Sequence, residues 1–195
     1  MRYLPIHCFP NAAWLAEAAA EDVVLDTHEY YDKQTMRNRF EILGVNGKMT
    51  LSIPVEGQKG VKTLSKDIKI ANHDWRKLHL TSVRSAYGRA PFYEHYFEEI
   101  SNILLKKQAY LMDFNLEVLD WLRTKKLVIT ENKSTDFVPF NEKEIVRPIS
   151  QEIAPTYLQV FSDRFAFHGG LSAIDLLMNL GPRSADHILL WKNGK

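Results

Sequence analysis

Residues 34–55 read QTMRNRFEILGVNGKMTLSIPV, and this stretch contains the clearest structural signal in the chain. Apolar residues in the stretches Phe40–Leu43 and Lys48–Val55 indicate two short strands. Asn46-Gly47 between them is typical of the tight turn of a β-hairpin. The stretch therefore predicts an antiparallel hairpin that is preceded by a polar, cationic segment.

Two arginines flank an asparagine immediately before this hairpin. The guanidinium groups of Arg37 and Arg39 are suited to bidentate binding of carboxylate or phosphate. If the strand is already regular here, residues two apart point to the same face. The pair would then share one anion-binding pocket, with Asn38 beside it. The alternative is a solvated edge strand whose charges discourage pairing with other chains.

The residues before the hairpin predict a β-α-β unit with a helix capped by Asn11. Its elements are the strand Tyr3–Phe9, the helix Ala12–Ala20 and the strand Val23–Asp26. Residues 28–36, which include Lys33, then form a loop over the C-terminal end of the second strand. Open α/β sheets bind their ligands at this end, so Lys33 is a candidate binding residue.

Apolar positions spaced three to four apart predict helices in the second half of the chain. The predicted helices are Trp75–Tyr87, Phe92–Lys107, Phe114–Arg123, a helix from Leu171 to Asn179, and Arg183–Trp191. Short strands are expected at Ile68–Ile70 and Leu127–Thr130. We expect an α+β (mixed α/β) fold, in which a small twisted sheet from the N-terminal half is packed by the central and C-terminal helices.

The segment Glu131–Arg147 is polar, charged and weakly periodic. Such a segment between ordered elements is typical of a surface excursion, and we expect it to be mobile. The sequence does not define its role. It either closes over a site or is a loose connection.

Two histidines are candidate general bases. His79 shares a helix face with Trp75, and Arg76 lies beside that face near a helix N-terminus, which favours anions. The helix would then supply both a base and two substrate contacts. The alternative for His79 is a packed, hydrogen-bonded helix residue. His7 is the second candidate base, but it does not form a nucleophilic pair with Cys8, because neighbours on a strand point apart.

Polar residues also interrupt the apolar helix near the C-terminus. Asp175 and Asn179 are one turn apart, and buried polar groups must find partners. They either hold the C-terminal helix in place or line a cleft as substrate-binding residues. The sequence leaves both interpretations open.

Composition excludes several classes of function. A formal net charge of +1 argues against general nucleic-acid binding. One cysteine and the absence of H-x-x-x-H spacing predict no metal site, and the absence of glycine-rich phosphate loops predicts no common nucleotide cofactor. No signal peptide and no membrane span are predicted, so we expect a cytoplasmic protein.

Motifs in a fixed order along the chain resemble the WbqC-like protein family. They are His7 with Trp14-Leu15, Arg37-Asn38-Arg39, Asn46-Gly47, Leu51-Ser52-Ile53-Pro54-Val55, Trp75-Arg76 with His79, Ala86-Tyr87 with Pro91, Asp113-Phe114-Asn115, and Ile174-Asp175-Leu176-Leu177 with Asn179 and Gly181-Pro182. The R-N-R and G-V-N-G segments are similar to the version in Bacteroidetes-type bacteria. Many members begin H-Q-P-x-Y-x-P-W, whereas this chain has His7-Cys8-Phe9-Pro10. The resemblance implies one WbqC-like domain over residues 1–195.

The resemblance also implies a role in O-antigen or other surface-polysaccharide biosynthesis. The function we derive from it is aminoacyl or acyl transfer to a sugar. The donor would be an anionic small molecule or a carrier-linked group, and an acyl-carrier-type protein is the expected protein partner. In this hypothesis Arg37, Arg39 and Arg76 bind the donor, and His79 or His7 is the base. The alternative is a non-catalytic binding module that docks a carrier or envelope-assembly protein.

Overall fold

The computed structural model describes residues 2–57, 62–72, 74–128, 130–139, 142–145 and 155–193. Its first unit is the predicted β-α-β crossover: β1 (Arg2–Pro5), α1 (Ala12–Ala18) and β2 (Val23–Asp26). The two strands pair in parallel. The Asn11 side chain accepts a hydrogen bond from the Trp14 backbone nitrogen at 3.0 Å, as an N-cap should. The crossover is confirmed.

The first strand is shorter than predicted, because its pairing with β2 ends at Pro5. Phe9 has φ of 40°, a left-handed conformation that is uncommon for an aromatic residue. Its ring packs against Phe40 at a centroid distance of 4.9 Å and against Phe114 at 6.0 Å. The strand prediction for Tyr3–Phe9 was therefore wrong beyond Pro5, since Phe9 turns into the core instead of continuing the strand.

The predicted hairpin is confirmed as β3 (Arg39–Gly44) and β4 (Gly47–Ser52). Its turn lies one residue earlier than predicted, with Val45 and Asn46 between the paired Gly44 and Gly47. Gly47 has φ of 101°, a value that L side chains rarely adopt. The glycine is therefore needed at the residue that follows the turn.

Helices cover the hairpin and the crossover. They are α2 (Trp75–Tyr87), α3 (Tyr93–Leu105), α4 (Leu111–Thr124), α5 (Ala173–Leu180) and α6 (Ser184–Asn193). The second helix has the predicted bounds, and the fourth starts three residues earlier than predicted. No helix in the described ranges has the length and apolar character needed to cross a bilayer.

The remaining strand comes from the polar segment after residue 130. β5 (Glu144–Ile145) pairs in parallel with β1, so the order is β2-β1-β5, and the hairpin forms a separate sheet. The mixed α+β fold is confirmed. The structure adds one detail to it, because the third strand of the parallel sheet is distant in sequence from the other two.

The described residues of the segment Glu131–Arg147 pack on this sheet. Lys133 forms a bridge to Leu25, and the Thr27 backbone nitrogen donates to the Ser134 hydroxyl at 3.0 Å. Residues 140–141 and 146–147 lie outside the described ranges, and the mobility of the segment stays a prediction. The strands predicted at Ile68–Ile70 and Leu127–Thr130 are absent from the described residues, where only isolated bridges at Lys69 and Ile70 occur.

Candidate functional site

A cleft with a volume of about 490 Å³ lies at the C-terminal ends of β1 and β2. His7 follows the first strand, Asp26 ends the second, and the loop after it supplies Glu29 and the two tyrosines Tyr30 and Tyr31. The other wall comes from the polar segment, with Phe137, Val138, Lys143 and Ile145. This is the ligand-binding end of a parallel sheet.

A buried ion pair forms part of the cleft. Lys143 Nζ lies 2.5 Å from Asp26 Oδ2, and the two side chains are 3% and 2% exposed. The ammonium also lies over the rings of Tyr3 at 5.2 Å and Phe137 at 5.5 Å. Burying two charges is expensive, so each depends on the other for its neutralisation.

Arg37 forms a second ion pair in the cleft. Its Nε donates to Glu29 Oε1 at 2.7 Å, and its Nη2 donates to Oε2 at 2.5 Å. The side chains are 12% and 11% exposed. Burial raises the pKa of Glu29, and the hydrogen bonds and charge of Arg37 oppose that rise. The guanidinium is thus engaged in a bidentate pair, which leaves little positive charge for an anionic ligand.

His7 lies beside these pairs as a half-buried side chain, with its ring 6.0 Å from that of Trp14. Burial, and then the positive charge of Arg37, lower the pKa of His7 to about 3. The imidazole is therefore neutral at neutral pH and can donate and accept a hydrogen bond.

Cys8 is fully buried, and burial raises the pKa of its thiol well above its ordinary value, so it is not an activated nucleophile.

Aromatic rings form the mouth of the cleft. Tyr30 and Phe137 are 45% and 43% exposed, and their rings meet edge to face at 5.1 Å. Lys62 lies over the Tyr30 ring at 5.7 Å. Aromatic rings that are exposed to this extent offer flat apolar surface to a ligand.

A second cavity of about 290 Å³ lies on the other side of Tyr31. It is lined by Tyr31, Lys33, Gln34, Asn38, Arg39, Val55, Glu56, Gly57, Thr63 and Ile68. The predicted arginine pair is therefore divided between two cavities. β3 begins only at Arg39, and Arg37 precedes it in a turn, so the alternation of a regular strand does not apply. The prediction of one shared pocket was wrong.

The helix residues of the predicted site lie elsewhere. His79 is 4% exposed and packs between Trp75 at 5.0 Å and Phe40 at 5.7 Å. Burial lowers its pKa to about 4. Arg76 stacks on the Trp75 ring at 4.5 Å and donates to the Lys106 carbonyl at 3.3 Å. None of these residues lines either cavity, and the packed-residue interpretation of His79 fits its surroundings.

Asp175 and Asn179 belong to a buried network. Asp175 accepts hydrogen bonds from the hydroxyls of Tyr87 at 2.9 Å and Tyr157 at 2.5 Å, and from Gln159 Nε2 at 3.0 Å. Burial raises its pKa, against these hydrogen bonds. Asn179 Nδ2 donates to the Asp175 carbonyl at 2.8 Å. The network joins α5 to α2 and to the segment before α5, which favours the structural alternative for both residues.

Comparison with known proteins identifies the family. The model of the WbqC-like protein family matches residues 7–136, about two thirds of the chain. The chain belongs to the WbqC-like protein family. No curated protein and no solved structure matches the chain.

The family match covers only part of the cleft. It includes His7, Asp26, Glu29 and both arginines, whereas Phe137 and the residues after it lie outside the matched range. The wall that contains Lys143 therefore comes from a part of this chain beyond the WbqC-like match.

Sequence reasoning missed several residues that line the cleft. The sequence pattern could have indicated Asp26 and Glu29. Asp26 is the last residue of β2 and Glu29 follows it, and the C-terminal ends of parallel strands are where such sheets bind ligands. No such pattern indicates Lys143, because it is 117 residues from its partner Asp26. Among the residues that the structure describes, no group of three or more His, Cys, Asp or Glu is placed to hold a metal ion.

Proposed function

We propose that this protein is a group transferase of bacterial surface-polysaccharide biosynthesis that binds its sugar acceptor in the cleft between β1, β2 and β5. The single observation that carries the proposal is the composition of the cleft. Exposed Tyr30 and Phe137 rings stand above polar groups that are already paired with one another. Small-molecule sites are mostly apolar clefts with a few fixed polar groups.

A sugar suits these features. Its C–H faces pack on aromatic rings, and its hydroxyls or amine hydrogen-bond to carboxylates that other side chains hold in place. The described lining includes three carboxylates (Asp26, Glu29, Asp32) and three cations (Arg37, Lys62, Lys143). This balance favours a neutral, hydrogen-bonding ligand over a strongly anionic one.

His7 is the residue we assign to proton transfer. In the proposed step the acceptor amine or hydroxyl attacks the acyl carbon of the donor, and the bond from that carbon to its leaving group breaks. The attacking group passes its proton to the neutral imidazole of His7 as the new bond forms. The resulting imidazolium, a strong acid because of its lowered pKa, then gives that proton to the leaving group. His7 is neutral and lines the cleft, whereas His79 is buried in the core.

Thermal unfolding with a ligand panel tests the proposal. The panel contains neutral sugars and amino sugars as acceptors, together with nucleotide-sugars, acyl-coenzyme A thioesters, nucleotides and a phosphopantetheinyl carrier protein. A ligand at about 100 times its dissociation constant adds about 2.7 kcal/mol of stability, a rise of roughly 5–10 °C for this size. We expect the Tyr30→Ala/Phe137→Ala variant to lose the shift caused by a sugar ligand, and Leu78→Ala, which removes an exposed leucine on α2, to keep it.

Turnover of the ligands so identified tests the role of His7. His7→Gln should reduce acyl transfer by roughly 10²–10⁴-fold while retaining the sugar-induced shift. His79→Met should retain turnover. If only the carrier protein raises the unfolding temperature and no acyl group is transferred to any sugar, the binding-module alternative is favoured.

A further inference from the structure

The second cavity contains an arginine with no described ion-pair partner. In the cleft, by contrast, Arg37 and Lys143 are each paired with a carboxylate. Arg39 lines the second cavity, and no described residue gives its guanidinium a hydrogen bond or an ion pair, although its Nε is buried. Lys33 adds a second positive charge, and Glu56 is the one carboxylate among the described lining residues. The lining therefore carries a net positive charge, in contrast to the balanced cleft.

The backbone around Arg39 is held in a fixed position. Asn38 is 8% exposed, and its Nδ2 donates to the Ile53 carbonyl at 2.8 Å. The Ile53 nitrogen donates back to the Asn38 carbonyl at 2.8 Å. This reciprocal pair ties the end of β4 to the start of β3. Arg39 thus extends from a rigid element, as a preorganised binding residue requires.

Buried polar atoms without partners are uncommon in proteins. One of them is Arg39 Nε, a donor that has no acceptor among the described residues. A bound group could give the guanidinium the acceptor that the described residues do not provide. Phosphate and carboxylate match the planar fork of an arginine.

Tyr31 forms a wall of both the cavity and the cleft. Its backbone nitrogen donates to the Thr63 carbonyl at 2.9 Å, and Thr63 also lines the cavity. Burial raises the pKa of the Tyr31 phenol, and the charges of Arg37 and Arg39 both oppose that rise. The phenol therefore lies within the field of both arginines, between the two spaces.

We propose that this cavity is a separate oxyanion subsite, in which Arg39 and Lys33 bind the phosphate or carboxylate group of a ligand. Resting on the proposed function, the inference assigns the anionic part of the donor to this subsite and the sugar acceptor to the cleft. Tyr31 is then the boundary at which the two substrates meet.

Equilibrium binding of simple anions tests the subsite without reference to turnover. The probes are inorganic phosphate, glucose 1-phosphate and acetate, titrated calorimetrically into the full chain at constant ionic strength. Loss of a charge-assisted bond should weaken binding about tenfold or more in Arg39→Met. Arg39→Lys keeps the charge but not the fork, so it should weaken binding less. Arg84→Met, which removes an exposed arginine of α2 that lines neither cavity, is the matched control and should bind the anion as the unmodified chain does.

The probes also separate the two sources of the oxyanion. Stronger binding of the phosphates identifies a phosphorylated ligand, and stronger binding of acetate a carboxylate. The subsite is overturned if no probe binds, if Arg39→Met and Arg39→Lys both bind normally, or if Arg84→Met loses binding to the same extent. Anion binding is measured in the absence of turnover. Binding that depends on Arg39 therefore leaves the subsite standing even if no acyl transfer to a sugar is found, and the two proposals fail separately.

Discussion

Arg37 and Arg39 are two residues apart but lie in opposite electrostatic situations. Arg37 is neutralised by a bidentate pair with Glu29 inside the cleft, whereas Arg39 lines the second cavity without a described partner. The side chains are chemically identical, so the difference comes from their surroundings. An arginine with a fixed carboxylate partner helps to shape a site, and one without a partner is available to a ligand.

The largest effect expected in the cleft comes from breaking its buried ion pair. Lys143→Met leaves the Asp26 carboxylate, which is only 2% exposed, without its cation. Because an unpaired buried charge is costly, the free energy of unfolding should fall by about 3–5 kcal/mol. Lys62→Met removes an exposed lysine from the same cleft and should cost no more than about 1 kcal/mol. Denaturant unfolding of both variants measures the difference. If both variants lose the same small amount of unfolding free energy, Asp26 does not need Lys143 to neutralise its charge.

The two arginines should differ in stability by a smaller amount. Arg37→Met leaves Glu29 unpaired and should cost about 1.5–3 kcal/mol, the range for hydrogen bonds to charged groups. Arg39→Met removes no described bond and should change stability by less than about 0.5 kcal/mol. Chemical denaturation of the two variants side by side makes the comparison. If Arg39→Met loses as much unfolding free energy as Arg37→Met does, Arg39 has a structural partner and its guanidinium is not available to a ligand.

The smallest expected effect is on the titration of His7. Burial is the main reason that its pKa is about 3, and the charge of Arg37 is the second reason. Arg37→Met should therefore raise the pKa of His7, and Arg39→Met should leave it near its value in the unmodified chain. NMR titration of the imidazole resonances measures both. A rise of equal size in the two variants would contradict the division of the arginines between the cavities.

The titration of His7 also makes the stability of the protein depend on pH. His7 has a lower pKa in the folded protein than in the unfolded chain, so the unfolded chain binds more protons between about pH 6.5 and pH 3. The stability that comes from neutral His7 is present above that window and is lost as the pH falls through it. Arg37→Met should narrow this pH window, because it raises the pKa of His7 in the folded protein.

Much of the fold could be predicted from local pattern. The Asn11 cap, the strand Val23–Asp26 and the helix Trp75–Tyr87 follow from capping chemistry and apolar periodicity, which act over a few residues. The first strand was predicted too long, because the turn at Phe9 is fixed by aromatic packing against Phe40 and Phe114. Strand propensity contains no information about such distant contacts.

The sequence by itself determined the crossover, the hairpin and the presence of two arginines before it, because these depend on neighbouring residues. Only the tertiary structure decided that β5 completes the parallel sheet, that Lys143 neutralises Asp26, and that the arginines enter different cavities. The physical reason is that pairing of charges and strands depends on distance in space. The sequence of the WbqC-like chain therefore shows the residue types of the candidate site, but the interactions of each residue follow from the partners that the fold brings to it.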